Sequence, residues 1–372
     1  MKNQKKDTIL FLYHKRLGKI DGNALYVRRL IDSLSREYEV VIPSEDFYKS
    51  NLRVSGNWLI RTMEVNLFLI FWFFKNFRTL RGKVRFVIME DRYSIIPAFF
   101  VRNVKTKFLA HISDWGMEYV DSLPFGSKIV TRAFALYERI YERFIFSRAD
   151  AVIVPSEYLR CKIAVRPKFP VLVFPHTFDR NTVVRSERGA SKKSELEGEI
   201  NCIFVGNYEY TPNETAALFI IEQLAGEIYV KDKGLKFIIA GPGGIEKFGR
   251  TDTRNVEIHG LVNDLEALYE RCDIGLNPSE TVGGISVKII EYLSRGLLVL
   301  STPQSSRGII ECSRVVIAER KDFKDTLLKL AERIRTGGVN ESSDESERIN
   351  DYYSWSKNTD RLLNFLRSLE ST

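Results

Sequence analysis

Short apolar runs alternate with segments of helical periodicity along the whole chain, a pattern typical of repeated β–α units. The apolar runs predict buried strands, and a second series of strands and helices begins near residue 201. The predicted strands are residues 8–13, 39–42, 85–89, 106–111, 151–154 and 171–174, followed by 202–205, 236–240, 256–259, 274–276, 298–301 and 315–317. This alternation predicts an α/β fold with two doubly wound, Rossmann-like domains that face each other across a cleft.

A polar, charged segment at residues 181–199 separates the two series and predicts a linker. We expect an acceptor-binding domain at 1–180, a donor-binding domain at 200–350, and a final amphipathic helix within 351–372. The serine-rich acidic segment 341–347 reads as a loop. A length of 372 residues agrees with two domains, because a single hydrophobic core rarely grows beyond about 250–300 residues.

The most apolar segment, residues 58–77, predicts a helix that is too interrupted to cross a membrane. Arg61, Glu64 and Asn66 break it, and the remaining apolar core is about half of the ~20 residues that a bilayer requires. Basic residues follow the segment as far as Arg85. One interpretation is a buried helix that covers the sheet. The other is a peripheral contact of residues 58–85 with an anionic membrane, and a single helix can serve both purposes.

Charge and composition narrow the class of protein further. The net charge is +8, which favours an anionic partner, but no nucleic-acid-binding module is visible. The four cysteines are scattered without metal-ligand spacing, so we expect reduced thiols and no bound metal. Residues 1–7 are polar and lysine-rich, unlike a signal peptide. We therefore expect a cytoplasmic protein, either free or peripheral at the inner face of the cell membrane.

Residues 277–307 contain the clearest candidate for chemistry. Gly283 and Gly284 form a loop before a helix predicted at 286–295, so backbone N–H groups and the positive end of a helix dipole are available to a phosphate. Lys288 and Glu291, three residues apart, share one helix face. A cation and a carboxylate at this position suit a diphosphate and the hydroxyls of an attached ribose. The alternative is an ordinary surface ion pair beside a glycine turn.

Other glycine loops also follow predicted strands. They begin at Gly206, Gly241 and Gly260, and the carboxyl ends of parallel strands meet at one edge of a sheet. Several such loops at one edge are a stronger signal for a ligand site than any single loop. The first loop of the chain lacks a GxGxxG pattern, so neither a nicotinamide cofactor nor any other resident cofactor is expected.

His111 and Asp114 follow the strand predicted at 106–111, in the sequence HISDW. Side chains just beyond a strand end of an open α/β sheet are placed for chemistry. A partly buried Asp114 is a candidate general base, and His111 is a second catalytic candidate. The alternative is that Asp114 caps a helix and that His111 is a hydrogen-bonded core residue.

The order of motifs resembles the two-domain GT-B glycosyltransferases, most closely the retaining family 4, or group 1, enzymes. The resemblance covers nearly the whole length and is strongest over residues 202–310. The motifs that carry it are ADAVIVPSEYLR (149–160), VLVFPHTFD (171–179), FVGNYEYTPNE (204–214), FIIAGPGG (237–244), NVEIHGLVNDLEALYERCDIGLNPS (255–279) and GGISVKIIEYLSRGLLVLSTP (283–303).

This resemblance implies a nucleotide-sugar donor, UDP- or GDP-linked, bound by the second domain without a metal ion. Glu291 matches the glutamate that holds the ribose hydroxyls, and Val262 lies where relatives contact the base. The final helix is expected to cross back to the first domain. The remaining donor-binding positions are Gly206, Asn207, Gly241, Gly283, Gly284, Lys288 and Arg307, and we place Gly22 and Asn23 on the acceptor side.

Three departures from the family pattern matter for this chain. Gly283 stands where relatives usually have a glutamate that holds the transferred sugar. Asn207 and either Pro212 or Asn213 stand where an arginine and a lysine are usual. Phosphate charge then depends on Lys288, with Arg307 as a second candidate. HISDW resembles the segment that carries the aspartate base in inverting relatives. The family resemblance therefore favours a retaining mechanism, whereas this motif favours an inverting one.

The sequence therefore predicts a hexosyltransferase that transfers a sugar to a lipid-linked or polysaccharide acceptor in cell-surface glycan synthesis. A non-catalytic GT-B subunit that binds a sugar nucleotide or a partner enzyme is the first alternative. A sugar-nucleotide epimerase of the same fold is the second.

Overall fold

The structure is a computed structural model that describes residues 7–13, 22–49, 58–80, 82–90, 106–113, 128–164, 169–178, 199–232, 234–249, 254–280, 284–337 and 343–371. The chain divides into two compact units. The first contains Met1–Thr177 and Ser356–Thr372, and the second contains Phe178–Trp355. The predicted linker 181–199 lies outside the described residues except for Glu199.

The described strands and helices alternate in both units. The strands are β1 (Thr8–Leu12), β2 (Glu39–Val41), β3 (Val84–Met89), β4 (Lys107–His111), β5 (Ala151–Val154), β6 (Val171–Val173), β7 (Ile200–Val205), β8 (Leu235–Ala240), β9 (Val256–His259), β10 (Ile274–Asn277), β11 (Leu298–Ser301) and β12 (Val315–Ile317). The helices are α1 (Gly22–Leu34), α2 (Pro43–Lys49), α3 (Trp58–Leu80), α4 (Lys128–Arg148), α5 (Glu157–Ala164), α6 (Thr211–Leu218), α7 (Gly226–Lys231), α8 (Gly244–Phe248), α9 (Leu265–Glu270), α10 (Val287–Ser294), α11 (Phe323–Arg335), α12 (Ser343–Tyr353) and α13 (Trp355–Glu370).

The first unit contains a parallel sheet in the order β2-β1-β3-β4-β5-β6. All five residues of β1 are buried, as expected for a strand covered on both faces. On one face, α1 and α13 pack against β1, β3 and β4 through a core that includes Leu30, Leu362 and Leu366. On the other face lie α3, α4 and α5, with Phe73 and Phe144 in the core. The final helix therefore completes the first unit.

The second unit contains a parallel sheet in the order β12-β11-β10-β7-β8-β9. Helices α6, α7 and α11 contribute to the core on one face. Helices α9, α10 and α12 contribute to the core on the other. A π-helical stretch, Phe219–Ala225, joins α6 to α7. The predicted α/β class with two doubly wound sheets is confirmed.

Every predicted strand is present, and its ends differ from the prediction by at most two residues. The prediction of a loop at 341–347 is wrong, because α12 begins at Ser343. Its acidic first turn suits the positive end of the helix dipole, and Glu345 accepts a hydrogen bond from the Ser313 backbone N–H at 2.6 Å. Ile349 and Tyr353 are buried in the core that α9, α10 and α12 form on one face of the second sheet.

Helix α3 confirms the helix predicted from residue 58 and packs on the first sheet through Phe73. Among the residues that the structure describes, none of the helices has the length and apolar character to cross a bilayer.

Candidate functional site

The candidate site of the second unit lies where the sheet order reverses. Strand β7 is central, with β8 and β9 on one side, and the chain then returns from β9 to place β10 on the other side of β7. In an open α/β sheet, this arrangement separates the loops beyond the carboxyl ends and leaves a crevice that binds ligands. The loops after β7 and β10 border this crevice, and they contain Asn207 and Gly284.

The loop after β7 is folded tightly against its neighbours. Gly206 donates its N–H to the Ala240 carbonyl at 3.0 Å. A Cβ atom at Gly206 would lie 2.9 Å from Cγ of Asn213, so a larger residue here would displace the Asn213 side chain. Oδ1 of Asn207 accepts a hydrogen bond from the Glu209 backbone N–H at 3.0 Å. The backbone carbonyl of Asn207 accepts a second hydrogen bond from Nδ2 of Asn213, also at 3.0 Å. Asn207 thus stabilises its own loop.

Lys288 lies in the first turn of α10 and reaches the helix that follows β7. Its Nζ donates to Oδ1 of Asn213 at 2.8 Å and lies 4.3 Å from the centre of the Phe204 ring. Withdrawal from water lowers the pKa of Lys288 from 10.5 to about 7, against the opposing effect of Glu291. An amide oxygen and a ring face compensate an ammonium only in part. The site is therefore ready to accept an anion.

Glu291 is held one turn further along α10. Tyr269, in α9, donates its hydroxyl hydrogen to Oε2 of Glu291 at 3.2 Å. Arg295 lies 4.5 Å above the Tyr269 ring and donates to the Glu291 carbonyl at 3.0 Å. Withdrawal from water raises the pKa of Glu291, while Arg295 and Tyr269 act in the opposite direction. The carboxylate is thus oriented, and its second oxygen is suited to accept hydrogen bonds from vicinal hydroxyls.

The start of α10 is fixed by a buried polar contact. Asn277, the last residue of β10, donates through Nδ2 to Oγ of Ser286 at 2.8 Å. Gly284 has a φ of +84°, a left-handed conformation that glycine adopts without strain. Gly283 lies outside the described residues. The contact orients the amino end of α10 relative to the strand edge.

Gly241, after β8, makes a close backbone approach to the loop after β7. Its φ is +138°, and a Cβ atom there would lie 1.9 Å from the Gly206 carbonyl oxygen. Val262, after β9, is partly buried against the core formed by α9, α10 and α12. Arg307 follows β11 and is exposed. Among the described residues, the contacts of Lys288 and Glu291 do not include Arg307.

Asn213, Phe204 and Tyr269 hold the two charged side chains in place, and sequence reasoning missed these roles. The sequence presents Asn213 only as a replacement for a family lysine. Its partner Lys288 is 75 residues away in the chain, so no local pattern reveals the contact. The local sequence around Asn213, Pro212-Asn213-Glu214, indicates only the start of a helix.

His111 lies at the carboxyl end of β4, in a buried network of the first unit. Its Nδ1 contacts the Glu90 carboxylate, and its Nε2 is 2.9 Å from the Tyr26 hydroxyl. Tyr26 donates its one hydroxyl hydrogen to the Phe174 carbonyl at 2.6 Å, so it accepts from Nε2–H. Both ring nitrogens face protein groups, and His111 is fully buried. This geometry favours the core alternative, and a catalytic role for His111 stays a prediction.

His176 extends the same network toward the surface. Its ring lies 4.2 Å from the Tyr26 ring, and desolvation, His111 and Arg29 lower its pKa to about 3. Arg29 donates to the Thr177 carbonyl. Gly22 and Asn23 form the first turn of α1, and their side chains are not described. Asp114 lies outside the described residues, so its role as a base stays a prediction.

A family comparison points in the same direction as this geometry. Residues 199–333 match the family model described as "Glycosyl transferases group 1". The matched segment contains the loops after β7 and β10, together with Lys288 and Glu291. No curated protein matches the sequence.

Solved structures resemble the chain over almost its whole length. Sucrose-phosphate synthase from Thermosynechococcus elongatus has 13% identity and a TM-score of 0.70, covering 98% of this chain and 100% of that one. HepE from Anabaena, solved in complex with UDP, has 13% identity and a TM-score of 0.66, covering 97% and 100%. The α,α-trehalose 6-phosphate synthase from Burkholderia multivorans has 12% identity and a TM-score of 0.60, covering 98% and 97%.

At these identities the structural likeness establishes the fold. The predicted resemblance to GT-B glycosyltransferases is confirmed in the fold, and residues 199–333 match the group 1 family model. Assignment to the retaining family 4 subgroup stays a prediction.

Proposed function

We propose that this protein is a glycosyltransferase that moves a hexosyl group from a UDP- or GDP-linked donor to a lipid-linked or polysaccharide acceptor in cell-surface glycan synthesis. The observation that carries the proposal is the pairing of Lys288 with Asn213 across the switch point of the second sheet, one helical turn from an oriented Glu291. The family match over residues 199–333 supports the reaction class, and the UDP bound to HepE supports the nucleotide.

In this proposal the donor diphosphate lies beside Lys288 and the amino end of α10. A diphosphate supplies the negative charge that the partly compensated ammonium lacks, and free N–H groups at the start of the helix bind its oxygens. Glu291 accepts hydrogen bonds from the ribose hydroxyls. Lys288 and the helix terminus stabilise the leaving diphosphate, so the proposed reaction uses no metal ion.

Transfer requires an acceptor hydroxyl oxygen to form a bond to the anomeric carbon of the donor sugar. The bond between that carbon and the diphosphate oxygen breaks, and its electron pair leaves with the diphosphate. We assign Asp114 as the base that takes the acceptor hydroxyl proton, on the evidence of the HISDW motif beyond β4. Such a base fits direct displacement with inversion, whereas the family resemblance favours retention, and product stereochemistry distinguishes the two.

We place the protein in the cytoplasm, with peripheral contact at the inner face of the membrane when its acceptor is lipid-linked. A non-catalytic subunit is the main competing function, because Asn207 is turned into its own loop and supplies no cation to the site.

A thermal-shift panel of nucleoside diphosphates and sugar nucleotides tests donor binding. We expect UDP or GDP to stabilise the protein by about 2.7 kcal/mol at a hundredfold excess over its dissociation constant. Nucleosides without phosphates serve as controls and should leave the melting temperature unchanged. The absence of a thermal shift with every nucleoside diphosphate would contradict the proposal.

Substitution of Glu291 with glutamine tests the ribose contact. The wild-type protein should prefer UDP, or GDP, over the 2′-deoxy form by about 10- to 100-fold, because a hydrogen bond to a charged group contributes about 1.5–3 kcal/mol. In Glu291→Gln this preference should shrink to a few fold. Glu270→Gln, at an exposed position of α9, is the matched control and should keep the preference. Equal preference in both variants would contradict the ribose role.

Asp114→Asn separates an enzyme from a binding subunit. We expect the wild-type protein to transfer or hydrolyse the sugar of its donor, and the variant to lose at least about 100-fold in rate, the usual contribution of a general base. Nucleotide binding by the variant should be unchanged. Full transfer activity in Asp114→Asn would remove the base assignment. Nucleotide binding without turnover of any sugar nucleotide by the wild-type protein would favour the non-catalytic subunit.

A further inference from the structure

The outer surface of the first unit carries an apolar stripe on α3. Four of its side chains are exposed by 60–74%: Met63, Leu67, Phe71 and Phe74. Consecutive spacings of four, four and three residues place them within an arc of about 80° on a helix of 3.6 residues per turn. Among the side chains of α3 that the structure describes, Lys75 is the only other exposed one. A soluble monomer seldom exposes such a continuous stripe without a binding role.

Helix α4 presents arginines and aliphatic side chains on its outer face. Leu136 and Ile140 are 60% and 55% exposed, and Arg132, Arg139 and Arg143 lie on the same face at helical spacing. Of the two acidic residues of α4, Glu138 is buried and Glu142 is half-buried. Within the described part of the chain, no carboxylate lies within ion-pair distance of these three arginines. Among the described side chains of α4, the charged ones that are fully exposed are all arginines.

Both helices cover the same face of the first sheet. Phe73 of α3 and Tyr141 and Phe144 of α4 share one core with strands β1, β3 and β4. Their outer faces consequently point to the same side of the unit. The apolar side chains of α3 and the cationic side chains of α4 thus lie on the same side of the unit, and we call them together the α3–α4 face.

Arg85, the last of the basic residues expected to contact a membrane, does not belong to this face. Arg85 lies 3.7 Å from Glu370 of α13, which packs on the opposite face of the sheet. The exposed positive charge on the side of the α3 stripe comes from Lys75 of α3 itself and from the arginines of α4.

We infer that the α3–α4 face docks on an anionic lipid bilayer, with the α3 side chains in the acyl boundary and the α4 arginines against lipid phosphates. The chemistry matches that of interfacial helices, in which large apolar side chains insert and cationic side chains bind headgroups. This inference deepens the proposed function and rests on it for its biological sense, since a lipid-linked acceptor is presented at such a surface. The docking itself needs no nucleotide.

A second copy of the chain fits this face less well than a membrane. A symmetric dimer through the same patch would bring the α4 arginines of both copies close together, with no exposed α4 carboxylate to pair them. A bilayer that contains anionic lipid supplies the opposite charge over its whole surface. Charge complementarity therefore selects the bilayer.

Vesicle flotation tests the inference with the full-length protein. Vesicles of pure phosphatidylcholine are compared with vesicles of phosphatidylcholine and phosphatidylglycerol in equal parts. We expect binding to the anionic vesicles and at least tenfold weaker binding to the neutral ones. High salt should weaken the anionic binding, because the arginine contribution is screened. Equal binding to both vesicle types, or no binding to either, would overturn the inference.

Two double variants then locate the contact. Arg139→Gln with Arg143→Gln should weaken binding to anionic vesicles by roughly 25-fold, at about fivefold for each cationic residue. Leu67→Gln with Phe71→Gln should weaken it on the order of tenfold. Matched controls lie in the second unit: Val230→Gln, 82% exposed, and Arg254→Gln, also exposed. Both controls should bind as the wild-type protein does, and unchanged binding in either double variant would contradict the assigned face.

Light scattering without lipid and the nucleoside diphosphate thermal shift complete the test. The wild-type protein and both double variants should be monomeric and should respond equally to UDP or GDP. A wild-type dimer that the double variants dissociate would assign the face to a second copy and overturn the inference. Vesicle binding without any nucleotide response would contradict the proposed function and leave the docking face intact. A nucleotide response without vesicle binding would do the reverse.

Discussion

Lys288 is held in surroundings that disfavour its charged form in the free protein, which fits its proposed role in donor binding. Its ammonium group has an amide oxygen at 2.8 Å and an aromatic ring at 4.3 Å, which do not replace the water that it loses. The pKa of about 7 expresses this deficit. A bound diphosphate would restore the charged form and raise the pKa again. In the proposed donor site, donor binding is therefore expected to be coupled to proton uptake by Lys288.

The affinity for a sugar nucleotide should therefore depend on pH. A nucleoside diphosphate sugar has two diester phosphates that do not titrate near neutrality, so Lys288 dominates the change. Affinity should be highest below pH 7 and fall by up to about tenfold per pH unit above it, until the pKa of the bound state is reached. Calorimetry in buffers of different ionisation enthalpy should detect proton uptake near pH 7.5. Lys329→Met, on exposed α11 surface, is the control and should keep the profile.

Lys288→Met should bind the donor about 10- to 100-fold more weakly and show no proton uptake. In the free protein it should be stabilising. Folding lowers the pKa of Lys288 from 10.5 to about 7, so its unfavourable contribution to the free energy of unfolding is complete below pH 7 and fades as the pH rises through that window. A variant less stable than wild type at pH 6 would contradict this account of Lys288.

At the scale of elements, the site depends on how closely the loops after β7 and β8 approach each other. Gly206 and Gly241 bring their backbones together where no side chain fits, and Gly206 also leaves room for Asn213. The β7 loop can therefore lie where Asn213 reaches Lys288 on α10. Helix α10 is in turn oriented by the Asn277–Ser286 contact. The geometry of the charged side chains is set by these backbone positions.

Gly241→Ala should destabilise the second unit by about 2–5 kcal/mol, because a left-handed φ and a clash with backbone act together. Gly226→Ala is the matched control. Gly226 is helical, with a φ of −63° and open space where the alanine methyl group would lie, so alanine should stabilise by about 0.5–1 kcal/mol. Chemical denaturation measures both variants. Equal stability of the two would show that the approach of the loops is not tight.

At the scale of the molecule, the chain closes its first unit with its last helix. Helix α13 adds Leu362, Leu363, Leu366 and Leu369 to the core on the α1 side of the first sheet. Ser33 and Thr359 form a buried hydrogen bond of 2.7 Å between α1 and α13. The first unit therefore depends on a helix that follows the whole of the second unit in the sequence.

Leu366→Ala should cost about 2–5 kcal/mol, the range for truncation of a fully buried leucine. Ser368→Ala, exposed on the same helix, is the control and should change stability by less than about 0.5 kcal/mol. Hydrogen exchange locates the effect. Protection should fall in β1 and β3 and stay unchanged in β7 and β8, and loss of protection in β7 would contradict the placement of α13.

Much of the fold follows from local pattern. Buried parallel strands are continuous apolar runs, so residues such as 151–154 identify themselves without any knowledge of their neighbours. Reliance on local pattern also explains why the sequence does not reveal helix α12. The sequence of α12 is polar and acidic, with few apolar side chains such as Ile349 and Tyr353. Only the tertiary structure shows that these side chains pack into the core beside α9 and α10.

The sequence by itself determined the two series of strands, the glycine loops and the pair Lys288 and Glu291 on one helix face, because each depends on residues within one or two turns of each other. Only the tertiary structure decided which side chains complete them. Lys288 meets Asn213 across 75 positions, and His111 meets Tyr26 across 85. Strand order brings these segments together, and the order follows from how the crossovers pack rather than from any local periodicity.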